Sequence, residues 1–108
     1  MELKALILAF LEARPMHGYE LVQRARKHGH LRWEEGTVYP LLHKMDHEGL
    51  LSSEWKKGPT GKARKYYSLS RRGRTVLARA RADWGEYVRV VSGILMGGEH
   101  GDARGSAP

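Results

Sequence analysis

GTVYPLLHKMDHEGLL, residues 36–51, decides how the rest of the chain is read. Val38, Leu41, Leu42 and Met45 recur at the spacing of one helix face, and Gly36-Thr37 suits a helix start. Gly49 suits a stop, and Leu50-Leu51 leads into something new. The other face carries Thr37, Tyr39, His43, Lys44 and His47. Hydroxyl, imidazole and ammonium groups gathered on a short helix suit hydrogen bonds to phosphates or base edges.

Upstream, Leu3, Leu6, Ile7, Phe10 and Leu11 form one helical stripe. Arg14-Pro15 ends it, because a residue before proline is pushed out of the α region. A second helix is expected from His17 to Lys27, with Tyr19, Leu21, Val22 and Ala25 on its apolar side and Gly29 as a stop. His17 starts this helix and suits a cap or a phosphate contact. A short link, HLRWEE, then reaches the helix of the opening stretch. Pro40 near that helix's start is tolerable, since the first-turn N–H groups have no intrahelical partner anyway.

Downstream the period changes from helical to two. Leu51, Ser53 and Trp55 alternate with Ser52, Glu54 and Lys56, and Lys65, Tyr67 and Leu69 with Arg64, Tyr66 and Ser68. KGPTGK between them supplies turn formers, so the pair reads as a β-hairpin. Ser70 can cap a final helix. The expected fold is mainly α with a small β-hairpin: a winged helix–turn–helix over residues 1–70, one long C-terminal dimerisation helix over 71–96, and a Gly-rich disordered tail over 97–108.

Charge points the same way. The chain has 108 residues and a net charge of +7. Residues 52–82 hold ten Lys or Arg and one acid, Glu54, so this segment is more basic than the whole. Such a balance favours a polyanionic partner. In a winged helix the third helix enters the major groove and the hairpin lies along the neighbouring backbone. The expected DNA contacts are Thr37, Tyr39, Pro40, His43, Lys44 and His47 on the helix, with Lys57, Lys62, Arg64 and Lys65 on the hairpin. Two other readings of the same charge are an RNA-binding or membrane-surface basic module and a protein-interaction adaptor. The first fits less well, because the bases cluster on a hairpin and the apolar seam lacks a Lys/Arg-rimmed lipid face. The second uses the fold without DNA, and a mobility shift separates it.

Other classes are excluded. The absence of cysteine removes disulfides and thiolate metal sites. His43 and His47 stand at i, i+4 but lack a third ligand at telling spacing, so no metal is expected. There is no phosphate-cradling glycine motif, no nucleophile with an apparent base and no pair of carboxylates in an apolar setting. Neither an enzyme nor a cofactor is expected. No apolar run reaches the ~18 residues of a membrane span, and residues 1–11 do not read as a signal peptide, so a cytoplasmic location is expected.

The last helix carries a heptad stripe. Leu77, Trp84, Val91 and Gly98 lie seven apart; Ala80, Tyr87 and Ile94 interleave; Val88 and Leu95 widen the stripe. A helix from Arg71 to Met96 would span about 39 Å at ~1.5 Å per residue, more than so small a core can cover. A two-fold dimer is expected, with Leu3, Leu6, Ile7 and Phe10 of the first helix added to its interface.

Three blocks, PMHGYEL at 15–21, GTVYPLLHKMDHEGLL at 36–51 and RKYYSLSRRG at 64–73, resemble the signature blocks of PadR-like transcriptional regulators. The resemblance covers residues 3–95, and the single C-terminal helix resembles the short subfamily. It implies a homodimeric winged-helix regulator, usually a repressor, often released by a small molecule. It also implies that Trp84, with Val88 beside it, can line a cavity at the dimer axis where a flat aromatic effector stacks. Ser70 departs from the family's common Thr but remains a good cap, and Gly85 is unusual inside the last helix.

Overall fold

The computed structural model describes residues 2–29 and 32–97. Among these, α1 (Glu2–Ala13), β1 (Met16–His17), α2 (Gly18–Arg26), α3 (Glu35–His47), β2 (Leu51–Lys57), β3 (Ala63–Leu69) and α4 (Arg71–Leu95) follow in order. Three helices, a hairpin and a long last helix are the winged helix–turn–helix order expected from the sequence. The expected disordered tail lies, beyond Gly97, outside the described residues. The chain divides into two compact units, one ending at Leu77 and the other beginning at Ala78.

The first unit encloses the core. Ile7, Leu8 and Leu11 of α1, Leu21, Val22 and Ala25 of α2, and Val38, Leu42 and Met45 of α3 are buried together. The inward face of α1 is not quite the one its spacing suggests. Leu8, outside the expected stripe, is fully buried, whereas Leu6, inside it, is 36% exposed. In α1 the run LKALILAFL is apolar nearly all round, so periodicity alone selects no single face.

β1 was not foreseen. After Pro15 the chain is extended for two residues and pairs antiparallel with β3, Met16 opposite Tyr67 and His17 opposite Tyr66. The sheet order is β1-β3-β2. Two residues carry too little pattern to be read as a strand; only the presence of β3 makes them one. His17 then caps α2: its Nδ1 accepts a hydrogen bond from the Glu20 backbone N–H at 3.1 Å.

The hairpin pairs in the register Leu51–Leu69 to Lys57–Ala63. Its loop closes with the Gly58 N–H donating to Lys62 O and the Gly61 N–H to Gly58 O. Gly61 has φ +85°, a conformation that favours glycine. Along β2 burial fades outward, from buried Leu51 through half-buried Ser53 to Trp55, which is 68% exposed.

α3 starts at Glu35, earlier than Gly36-Thr37 suggested. Pro40 therefore stands in the second turn, and the first-turn argument does not cover it. The Gly36 carbonyl, which an N–H at position 40 would have served, belongs to an exposed residue, so water can satisfy it. At the far end Ser70 caps α4 as expected. Its Oγ accepts from the Gly73 N–H at 3.0 Å and donates to the Gly49 carbonyl at 2.7 Å, tying the end of α3 to the start of α4. Gly73 packs so closely on the Leu50 carbonyl that no Cβ would fit.

Candidate nucleic-acid interface

The residues of α3 sort cleanly. Val38, Leu42 and Met45 point into the core. Gly36, Pro40, His43 and His47, at i, i+4, i+7 and i+11, form an exposed stripe on the opposite side. Thr37 and Lys44 flank it, also exposed. Among the described residues the side chains of Thr37, His43, Lys44 and His47 have no hydrogen-bond or ion-pair partner within the chain. The groups expected at DNA are thus free to meet a ligand.

Tyr39 is less free. Its ring lies against Gly18 at the start of α2, where a Cβ would overlap the ring, and it is 39% exposed. Burial first, and then the Glu35 carboxylate, raise its phenol above the ordinary value, so at neutral pH it remains a donor. Beside it, the Arg64 guanidinium sits over the ring of Tyr19 at 5.9 Å. His17 stacks on the other aromatic neighbour surfaces, parallel to Tyr19 and edge-on to Tyr66 at 5.2 Å. Burial, followed by the charge of Arg64, lowers the His17 pKa, consistent with its neutral Nδ1 accepting the α2 cap bond.

The wing bases divide into two kinds. Lys57 and Lys62 are exposed. Arg64 is half-buried and, among the described residues, has no acidic partner. Lys65 was expected as a base free for DNA, but the structure ties it to α3. Its Nζ lies 3.9 Å from Asp46 Oδ2 and over the Tyr67 ring. The same carboxylate oxygen accepts a 2.6 Å hydrogen bond from Ser53 Oγ.

Sequence reasoning missed three contributors here. Tyr19 was assigned to the apolar side of the second helix, yet it is 42% exposed and carries Arg64. Lys56, which sits over the Tyr66 ring, was not assigned to DNA. Asp46 was assigned no role. None of these has a local signal, because each role depends on a strand or helix distant in the chain.

The expected dimer residues also divide. Ile7 and Leu77 are buried in the chain's own core, so they are corrected from interface to core. Leu3 and Phe10 pack partly against that core, and Phe10 meets Trp33 edge-on at 5.7 Å. Leu6, Trp84, Tyr87, Val88, Ile94 and Leu95 are exposed, while Ala80 and Val91 are partly covered. The rings of Trp84 and Tyr87, one turn apart on α4, lie 5.6 Å apart. Gly98 is outside the described residues. A cleft of about 330 Å³ is lined by Arg26, Gly29, Arg32, Trp33 and Glu34, and Trp84 and Val88 take no part in it.

Residues 7–79 match the family model of the transcriptional regulator PadR-like family. This chain is a member of that family. The match runs from α1 into α4 and so contains the whole arrangement of α3 and the hairpin. Transcriptional regulator Rv3488 of Mycobacterium tuberculosis is 38% identical over 78 residues, 72% of this chain and 71% of that protein. The crystal structure of a PadR-like transcriptional regulator from Bacillus cereus is 33% identical, with a TM-score of 0.80 over 86% of this chain and 90% of that one. Bacillus subtilis PadR, whose crystal structure is in complex with operator DNA, is 25% identical, with a TM-score of 0.65 over 76% of this chain and 45% of that one. The PadR-like chain thus belongs to a family of transcriptional regulators, not of enzymes.

Proposed function

We propose that this PadR-like protein is a homodimeric repressor that binds operator DNA. The observation that carries the reading is the exposed, unpartnered stripe of α3 beside a basic hairpin in one compact unit. α3 enters the major groove with His43, His47, Lys44 and Thr37 toward bases and phosphates. Pro40 packs within the groove beside them, and Tyr39 donates from the helix edge. Lys57, Lys62 and Arg64 track the neighbouring backbone, joined by Lys65 once it leaves Asp46. A relative solved with operator DNA supports the assignment.

Dimerisation rests on α4, whose exposed Trp84, Tyr87, Val88, Ile94 and Leu95 and partly covered Val91 make an apolar stripe too large for solvent. A two-fold axis through it presents two copies of α3 to successive major grooves. A flat aromatic effector stacks on Trp84 beside Val88 and releases the DNA. The protein acts in the cytoplasm, where its operator is. The test is a mobility shift with the region upstream of its own gene against a scrambled duplex. Equal binding to both, or none, refutes the sequence-specific regulator.

A further inference from the structure

We propose that Asp46 is a specificity-determining residue of this interface and acts through Lys65. It keeps the Lys65 ammonium on the protein until a duplex is seated on both α3 and the hairpin. The inference rests on the DNA-binding reading and adds to it a group that discriminates between duplexes without touching a base.

Asp46 lies in the last turns of α3 and gathers groups from both hairpin strands. Ser53 Oγ of β2 donates to its Oδ2 at 2.6 Å, and Lys65 Nζ of β3 stands 3.9 Å from the same atom. The short bond from Ser53 fixes where the carboxylate points. The longer approach of Lys65 is an attraction through space, without the geometry of a direct hydrogen bond. Both side chains of the ion pair remain partly exposed, at 30% and 25%, so water and a competing anion can reach it. The ammonium also rests over the Tyr67 ring, 5.6 Å from its centroid, which keeps it near the carboxylate.

The chemistry separates the structural part of Asp46 from the electrostatic part. Accepting one hydrogen bond from Ser53 needs only an oxygen, which an asparagine also supplies. The negative charge is needed only for Lys65. A phosphate must take the ammonium from a carboxylate of the same sign as itself. A duplex resting loosely on the wing has little to offset that exchange. One held by α3 as well brings its backbone to a fixed place beside Lys65.

The experiment measures binding of native protein, Asp46→Asn, Lys65→Ala and the double variant by anisotropy, over a range of salt, on the upstream region and on a scrambled duplex. Asp46→Asn tightens scrambled-duplex binding about 1.5- to fivefold, the range of a partly exposed ion pair. It also steepens the salt slope by about 0.9 for each Lys65 released. In the Lys65→Ala background the same change has no effect. Lys65→Ala alone loses affinity and slope on the upstream region and leaves the scrambled duplex nearly unchanged. That arm holds whether or not Asp46→Asn folds. A gain that persists without Lys65 overturns the proposal, because Asp46 then simply repels DNA. Equal losses from Lys65→Ala on both duplexes overturn it too. If native protein binds no duplex in a salt-dependent way, the DNA reading falls with it; if native protein binds and only the cycle is additive, this proposal falls alone.

Discussion

Gly18 and Tyr39 are packed so that a single methyl group at position 18 would occupy the tyrosine ring. The contact joins the start of α2 to the exposed edge of α3. Gly18→Ala therefore pushes the ring outward and costs about 1–3 kcal/mol, the usual range for overpacking. Thermal unfolding of Gly18→Ala and Gly18→Ala/Tyr39→Ala checks this. The second substitution should recover part of the lost stability, since it removes the group that collides. No recovery would mean that the cost lies in the α2 backbone.

Gly73 meets a harder neighbour. Its absent Cβ faces the Leu50 carbonyl, which is backbone and cannot swing away, as well as the Leu69 side chain. Gly73→Ala is expected to destabilise more than Gly18→Ala. Ser70→Ala removes the cap bond to the Gly73 N–H and the bond to Gly49, and should cost about 0.5–2 kcal/mol. Denaturant midpoints for the three variants give the order Gly73→Ala, then the other two.

His17 gives the stability a dependence on pH. Its folded pKa is lowered from 6.5, so the unfolded chain takes up a proton before the folded one. The contribution is fully present above pH 6.5 and falls as pH drops from there through the folded pKa. His17→Asn keeps a good cap and removes the titration. Denaturation of both proteins from pH 8 to 5 should show a decline in the native protein that is flatter in His17→Asn. Parallel curves would place the decline on another group.

Phosphate and base contacts should separate by variant. With roughly 6–10 phosphate contacts from two subunits, affinity should fall by about 10³–10⁵ between 50 and 200 mM salt. Lys57→Ala and Lys62→Ala should weaken all duplexes alike and lower the salt slope, whereas Lys44→Ala should cost more on the specific site. The reverse pattern would exchange the roles given to helix and wing.

The apolar stripe of α4 is tested by Val91→Asp. A carboxylate in a desolvated seam costs several kcal/mol, so sizing should show loss of the dimer and, with it, loss of operator binding. Trp84 is 55% exposed, so a planar aromatic compound stacking there should quench its fluorescence saturably. Trp33 and Trp55 also emit, and the titration is repeated in Trp84→Phe. Unchanged quenching in that variant places the compound elsewhere.

What the sequence determined by itself was whatever one element settles alone. The spacing of Val38, Leu41, Leu42 and Met45 picked the inward face of α3, of which Leu41 is only partly buried, and with it the exposed Thr37, His43, Lys44 and His47. Alternation and the Gly/Pro-rich loop located both strands to within a residue or so, and Ser70 marked its own cap. These signals are local, because a side chain's direction follows from its position along a helix or strand. Tertiary structure decided the rest. α1 is apolar on more than one side, so only packing against α2 and α3 could bury Leu8 and leave Leu6 outside. The same packing drew Ile7 and Leu77 into the core rather than into a dimer seam. Met16 and His17 became a strand only because β3 offered them a ladder. Lys65 looked like any other base of the wing until the fold brought Asp46, nineteen positions earlier, to its ammonium. Periodicity cannot report such pairings, since their energy depends on groups that only the closed chain brings together.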